Sequence, residues 1–267
     1  MSPVKTPTLA GFFLFTLALS FPMTTALAWE LQWFGQSAFK ITTPENKVIL
    51  IDPFISQNPV TPEKLKNLDK LGNVDLVLVT HGHGDHLGDT ADIVKKTRAK
   101  VGVNADMGQT LGALELVPKD HIIGFNKSGS IQPLKGITVT MVRAEHSSEI
   151  VHENQVHPGG EPAGFIIELE NGYRIYHAGD TGVFSDMRFI AGYYQPDLAL
   201  LPIGGHYTMD PAHAAYAVKN LLKTKTVIPM HYGTFPPLKG TPEAFKNALG
   251  KSSSKVIIMK PGEIIKF

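Results

Sequence analysis

Six short apolar runs in this chain each end on a histidine or an aspartate. Residues 48–51 lead into Asp52, 76–79 into Thr80-His81-Gly82-His83-Gly84-Asp85-His86, and 139–142 into Glu145-His146. Residues 175–176 lead into His177-Ala178-Gly179-Asp180, 199–201 into His206, and 227–228 into His231. Short runs rich in Val, Ile and Leu read as buried strands. Strand ends fix side chains in space, while the loops that follow leave room for a cleft. A chain built this way is expected to bring the carboxyl ends of its strands to one polar site.

The remaining pattern sets the fold class. Residues 29–34 and 38–42 read as a first hairpin around Gly35-Gln36, 47–51 as a third strand, and 74–79 (VDLVLV) as a fully buried one. Residues 137–142 alternate as a strand, and 164–169 pairs with 173–176 around the hairpin signal Asn171-Gly172. Further strands fall at 198–201, 226–229, 256–259 and 263–267. Helical patterns cover 90–97, 107–116 and 211–222, the last behind Asp210 as N-cap, and a short final helix holding 245–249 stops at Gly250. Residues 151–162 (VHENQVHPGGEP) read as the clearest loop. Strands come in runs, with helices between the later ones. This predicts an α/β fold, an αββα sandwich of two mixed β-sheets with flanking helices, rather than a parallel βαβ series.

Residues 1–28 differ from the rest. Lys5 precedes an uncharged, mostly apolar run at 9–21, and Ala26-Leu27-Ala28 supplies the small-x-small pattern cut by signal peptidases. The expectation is a signal peptide, a single mature domain at 29–267, and export to the periplasm or the medium by general secretion, since no Arg-Arg pair is present. A retained anchor is the alternative, but the apolar run is short against the roughly 20 residues of a span. No stable membrane anchor is expected after cleavage.

Composition removes several chemistries. With no cysteine there is no thiolate zinc site and no cysteine nucleophile, and no G-x-S-x-G elbow is present. Any metal must be held by His, Asp or Glu. The net charge of +1, without a basic stripe, argues against nucleic acid and for a small-molecule substrate.

Three histidines and an aspartate within six residues, behind a buried strand, suit zinc, manganese or iron. Glycines at 82 and 84 are expected to let the backbone bend around one point. The segment T-H-G-H-G-D-H resembles the H-x-H-x-D-H signature of the metallo-β-lactamase superfamily. Further along, Asp52 in LIDPF, His146-Ser147-Ser148, the AGDTG segment at 178–182, GGHYTM and PMHYGTFP resemble, in order, the metal-dependent hydrolases related to ascorbate-6-phosphate lactonase. The resemblance spans roughly residues 29–237. It implies two divalent metal ions; loading outside the cytoplasm after secretion favours zinc, with manganese or iron as alternatives. His81, His83 and His146 would hold one, Asp85, His86 and His231 the other, and Asp180 would bridge both. Such a pair would acidify a water and supply hydroxide near neutral pH. Asp85, Asp180 and His206 are the candidate catalytic residues.

The neighbouring residues divide by chemistry. Asp52 is either a group that orients a ligating imidazole or a turn residue before Pro53. Asp75 reads as a strand-start residue and His177 as structural. His206 either meets substrate and assists proton transfer or bonds to backbone. His152 and His157 read as solvated loop residues, Glu145 as an exposed strand end, and Tyr207 and Tyr232 as packing aromatics. Four activities fit such a chain. They are hydrolysis of a small ester, lactone, amide or phosphoester; iron-dependent oxidation or dioxygenation on the same fold; metal binding without catalysis; and nuclease activity, which the lack of a basic face disfavours.

Overall fold

The computed structural model describes residues 28–267, with Met1 and Pro3 before them. The expected leader and its cleavage site lie almost entirely outside the described residues. Among those described, no helix is long and apolar enough to cross a membrane.

The first half of the chain lays down strands β1 (Glu30–Gly35), β2 (Ala38–Thr42), β3 (Val48–Ile51), β4 (Leu76–Leu78), β5 (Lys100–Asn104) and β6 (Ile122–Phe125). The first three pair antiparallel, and β3 to β6 run parallel. Helices α1 (Gly84–Leu87), α2 (Thr90–Thr97) and α3 (Ala105–Ala113) fall between the parallel strands. The second half mirrors this plan. Strands β7 (Ser130–Leu134) and β8 (Ile137–Arg143) are followed by a separate hairpin, β9 (Glu149–His152) and β10 (Gln155–Pro158). Strands β11 (Ala163–Glu168) and β12 (Arg174–His177) then continue the antiparallel part. Parallel β13 (Leu198–Pro202), β14 (Thr226–Met230) and β15 (Lys255–Val256) complete that sheet. Strand β16 (Ile264–Lys266) returns to the outer edge of β1, so each large sheet has seven strands.

Alternation along each strand creates the layers. Ile49 and Ile51 of β3 face the other sheet, where they join Leu198 and Leu200 of β13 and Ile228 and Met230 of β14. Leu50 points outward into a second core with Ile93 and Val94 of α2 and Met107 and Leu111 of α3. Ala199 and Leu201 point the other way, under α4 (Met187–Phe189), α5 (Pro211–Tyr216) and α6 (Pro242–Leu249). The result is the four-layer αββα sandwich. Trp29, Trp33 and Phe39 fill its centre and are essentially sealed from solvent.

Several expectations meet the structure closely. Thr90–Thr97 is helical as read, and Asp210 caps α5 by accepting from the His213 amide. The Asn171-Gly172 turn joins β11 to β12, with Gly172 at φ +79°. Other expectations are corrected. Residues 151–162 are not an open loop: most of them form the β9–β10 hairpin, whose tip residues Glu153 and Asn154 both take left-handed backbone angles. That is the mirror-image turn that matches strand twist, reached here without glycine. Strands β5, β6 and β7 escape the apolar-run reading. Gly102 interrupts β5, and a Cβ there would meet Leu78 Cδ2 at 2.7 Å. Helix α3 starts two residues before the expected 107, because the Asn104 side chain accepts from the Asp106 and Met107 amides. Beyond α5, residues Ala217–Leu222 wind as a π-helix.

Candidate metal centre

Strand ends from both sheets converge at one edge of the sandwich. After β4 the backbone passes Thr80 and His81, and α1 then turns Asp85 and His86 back toward the strands. The backbone bends over residues 80–83 and enters α1 at Gly84, as expected. Gly82 also permits close approach, since a Cβ there would lie 2.6 Å from the Glu149 carbonyl oxygen, whereas Gly84 has open space around it and no positive φ. From the second sheet, the segment after β8 brings His146, the turn after β12 brings Asp180, and the end of β14 brings His231.

These seven side chains form three interlocking groups in which the potential ligand atoms lie within 4.8 Å of one another. The groups are His81, His83 and His146; Asp85, His86 and His231; and His81, His86 and Asp180. His81 Nε2 is 3.0 Å from His83 Nδ1. Asp180 touches both sides, with Oδ2 at 2.9 Å from His231 Nε2 and 3.6 Å from His146 Nε2, and Oδ1 at 3.3 Å from His86 Nε2. Asp85 Oδ2 lies 3.6 Å from His231 Nε2 and 3.7 Å from His86 Nε2.

The groups behind the cluster fix which nitrogen faces inward. Asp52 is buried at φ +46°, a strained angle for this residue type that is typical of functional sites. It accepts from the Thr80 amide at 2.8 Å and from the Thr80 hydroxyl at 2.7 Å. Its Oδ2 also lies 2.8 Å from His86 Nδ1. Having given its proton to Asp52, the Thr80 hydroxyl accepts from His81 Nδ1 at 3.0 Å. In their neutral forms both imidazoles would therefore present Nε2 lone pairs to the centre. Asp75 instead anchors the opposite end of β3 through the Val48 amide, as a strand-start residue.

Electrostatics divides the histidines into two sets. Burial, reinforced by neighbouring imidazoles, lowers the pKa of His81, His83 and His146. Burial also opposes charge on His86, but Asp180, Asp85 and Asp52 outweigh it and hold that pKa well above the usual imidazole value. His231 is raised to about 9, since Asp180 and Asp85 overcome its burial. Burial likewise opposes charge on Asp180 and Asp85, and the facing imidazoles His231 and His86 overcome it and hold both carboxyls below the usual range.

Two buried atoms in the middle of the cluster, His86 Nε2 and Asp180 Oδ1, face each other at 3.3 Å as an ion pair without well-aligned hydrogen-bond geometry. Five imidazoles and two carboxylates so placed fit a pair of divalent cations bound by nitrogen and oxygen.

The cluster floors a cavity of about 510 Å³. Gln36 is a site residue that the sequence pattern conceals, because it reads simply as the tip of the β1–β2 hairpin. It takes φ +50° and is buried. Its Nε2 donates to Asp85 Oδ2 at 2.8 Å and lies 2.7 Å from His231 Nε2. Its carbonyl oxygen accepts from the His231 amide. A polar residue at a tight turn beside a buried hairpin was the one available signal.

Other candidates fall elsewhere. His206 is not part of the cluster. It is exposed at φ +61° with its ring edge-on to Tyr207, and it lines a neighbouring groove with Asp210, Pro237 and Lys239. The loop after β13 turns at Gly205 and carries the imidazole past the cavity. Tyr207 is 59% exposed and stands on the cavity rim rather than packing in the core. Tyr232 does pack, 5.5 Å from Trp33. His177 is structural, donating from Nε2 to the Ser37 carbonyl and accepting at Nδ1 from the Gly179 amide. His152 and His157 sit half-exposed on the β9–β10 hairpin. Glu145 is exposed and ion-paired to Arg143.

The family model for the beta-lactamase superfamily domain matches residues 47–232, and the chain belongs to that superfamily as a metal-dependent hydrolase. Its relatives include the "UPF0173 metal-dependent hydrolase" of Polaromonas sp., 56% identical over 244 residues and 89% of each chain. The corresponding protein of Rubrobacter xylanophilus is 43% identical over 237 residues, 88% of this chain and 95% of the relative. Among solved structures, Igni18, described as a novel metallo hydrolase from the archaeon Ignicoccus hospitalis, superposes with a TM-score of 0.77. It is 38% identical, over 90% of this chain and 98% of that one.

Proposed function

We propose that the protein hydrolyses a small carbonyl or phosphoester substrate at a centre of two divalent ions, zinc first. His81, His83 and His146 would hold one ion, Asp85, His86 and His231 the other, with Asp180 between them. The observation that carries this reading is the position of Asp180, within 3.6 Å of imidazoles from both sets. When bound, such ions polarise the scissile bond and lower the pKa of a water.

The chain supplies the remaining work. Asp85 is the carboxylate that reaches the cavity, with 27% of its side chain exposed against 4% for Asp180. Kept ionised by its imidazole neighbours, it accepts a hydrogen bond from the attacking water and aims it. Gln36 holds Asp85 from the side, and Asp52 and Thr80 hold the imidazoles from behind. For an ester, a bond forms from water oxygen to the carbonyl carbon, the carbon–alkoxy bond breaks, and the alcohol leaves with a proton.

The test is a panel of esters, lactones, amides and phosphoesters, run with elemental analysis. Close to two divalent ions per chain, with turnover abolished by a chelator and restored by added zinc, is the expected result. Full activity in metal-free protein overturns the reading, and oxygen uptake coupled to turnover assigns the site to oxidation instead. Export is a separate part of the proposal, resting on residues 1–28. Intact mass of the exported protein should correspond to a chain beginning at Trp29, and a full-length mass favours the retained anchor.

A further inference from the structure

The wall of the cavity carries information about substrate that its floor does not. Above the cluster, the loops after β13 and β14 contribute Tyr207, Phe235, Pro237 and Leu238. Phe235 leans on Phe54, with ring centroids 6.3 Å apart. Across the opening, Glu149 of β9 lines the other side. Among the described residues, no lysine or arginine lines this cavity.

The cations nearby are committed or turned away. Lys127 and Arg143 lie in a separate pocket behind His146, where Lys127 pairs with Glu161 and Arg143 pairs with Glu145 and Asp186. Lys239 lines the groove on the far side of Pro237, beside His206. A carboxylate or phosphate held away from the scissile bond would therefore meet the hydroxyls of Ser147 and Tyr207 but no lysine or arginine, with the Phe235, Pro237 and Leu238 surface and the Glu149 carboxylate around it. Removing an ion from water without a partner is costly. An alkyl or aryl group at the same place would gain contact and lose exposed surface.

We infer that the substrate carries an apolar, uncharged group beside the bond that is cut, seated against Phe235, Pro237 and Leu238, rather than a second anionic group. This rests on the hydrolase reading of the same site and narrows its substrate class. It separates the chain from hydrolases that grip a remote phosphate.

A pair of metal-chelating probes tests the inference without turnover. Octanohydroxamic acid and its ω-carboxylate, suberic monohydroxamic acid, share a head group and chain and differ at the far end. Calorimetry on the zinc-loaded protein should show the alkyl probe binding about tenfold tighter or better, the scale of a small change in an apolar pocket. F235A should erase most of that preference while leaving zinc content unchanged. E149K should improve binding of the ω-carboxylate, and a thermal melt checks that both variants fold. Equal binding, tighter binding of the ω-carboxylate, or no binding of either probe overturns the inference. Failure of the hydrolase reading looks different: the binding preference persists while no ester, lactone or amide shows chelator-sensitive turnover.

Discussion

On the cavity floor every ligand candidate stands at the end of a strand in one of the two large sheets, in the segment just after it, or in the short helix α1 that follows β4. On the rim, Tyr207 and Phe235 stand on loops, and Glu149 stands on a hairpin that pairs with neither large sheet. The floor is sealed: His81, His86, Asp180 and His231 are all essentially buried, with Asp52 and Thr80 braced behind them. The rim is open, with Tyr207 and Phe235 at 59% and 37% exposure. The contrast separates two jobs. Packed strand ends preorganise the chemistry, and loops that contribute little to the core are free to set what is admitted.

Substitutions on the two levels should differ in kind, and the largest effect belongs to the floor. Asp180→Ala removes the carboxylate shared by both histidine sets. Several kcal/mol of lost charge stabilisation corresponds to a fall on the order of 10³-fold in kcat/KM. Every substrate should suffer alike, and a loss confined to one substrate would place Asp180 on the rim in function. Asp52→Asn should cost about 10–100-fold in metal affinity or activity, because His86 loses the acceptor that orients it. Wild-type zinc affinity in that variant would show that the floor holds without its bracing.

The two histidine sets should also separate by pH. The raised pKa of His86 and the value of about 9 at His231 mean that protons occupy this side of the metal-free site at neutral pH. Ligation requires their loss, so affinity for the second ion should rise with pH from 7 to about 9, the value at His231. His81, His83 and His146 are neutral well below that, so the first ion should bind with little pH dependence between 7 and 9. Zinc titrations in buffers of different ionisation enthalpy measure the proton release at each step. Identical release at both steps would merge the sets. The smallest effect belongs to His206→Ala, which should change kcat/KM less than about twofold, as surface substitutions away from a site do. A loss matching that of Asp180→Ala would bring His206 back into the reacting shell.

Much of the floor was legible because a strand exit is a local feature. VDLVLV followed by T-H-G-H-G-D-H announces both a buried strand and a polar cluster, and the other ligand candidates repeat the pattern at lower density. Gln36 was not legible, since its role depends on β1 and β2 packing beside the end of β14, where it meets Asp85 and His231. The β9–β10 hairpin was read as loop for a related reason. Its turn is made by Glu153-Asn154 without glycine, and its strands are short and largely exposed, so neither turn chemistry nor apolar periodicity marks it. His206 shows the reverse case. It follows a strand as the others do, but after Gly205 it stands exposed in the neighbouring groove, outside the cavity lining.

The sequence by itself determined the alternation that builds two sheets, the donor types at their strand ends, and the absence of any cysteine chemistry. Tertiary structure alone decided which imidazoles gain charge and which lose it. It also set the distances from Asp180, the bridge that the family resemblance implied, to both sets, and left no lysine or arginine in the cavity lining among the described residues. Those properties depend on distances of 3 to 4 Å between residues far apart along the chain, and at that range burial and neighbouring charge outweigh intrinsic residue chemistry.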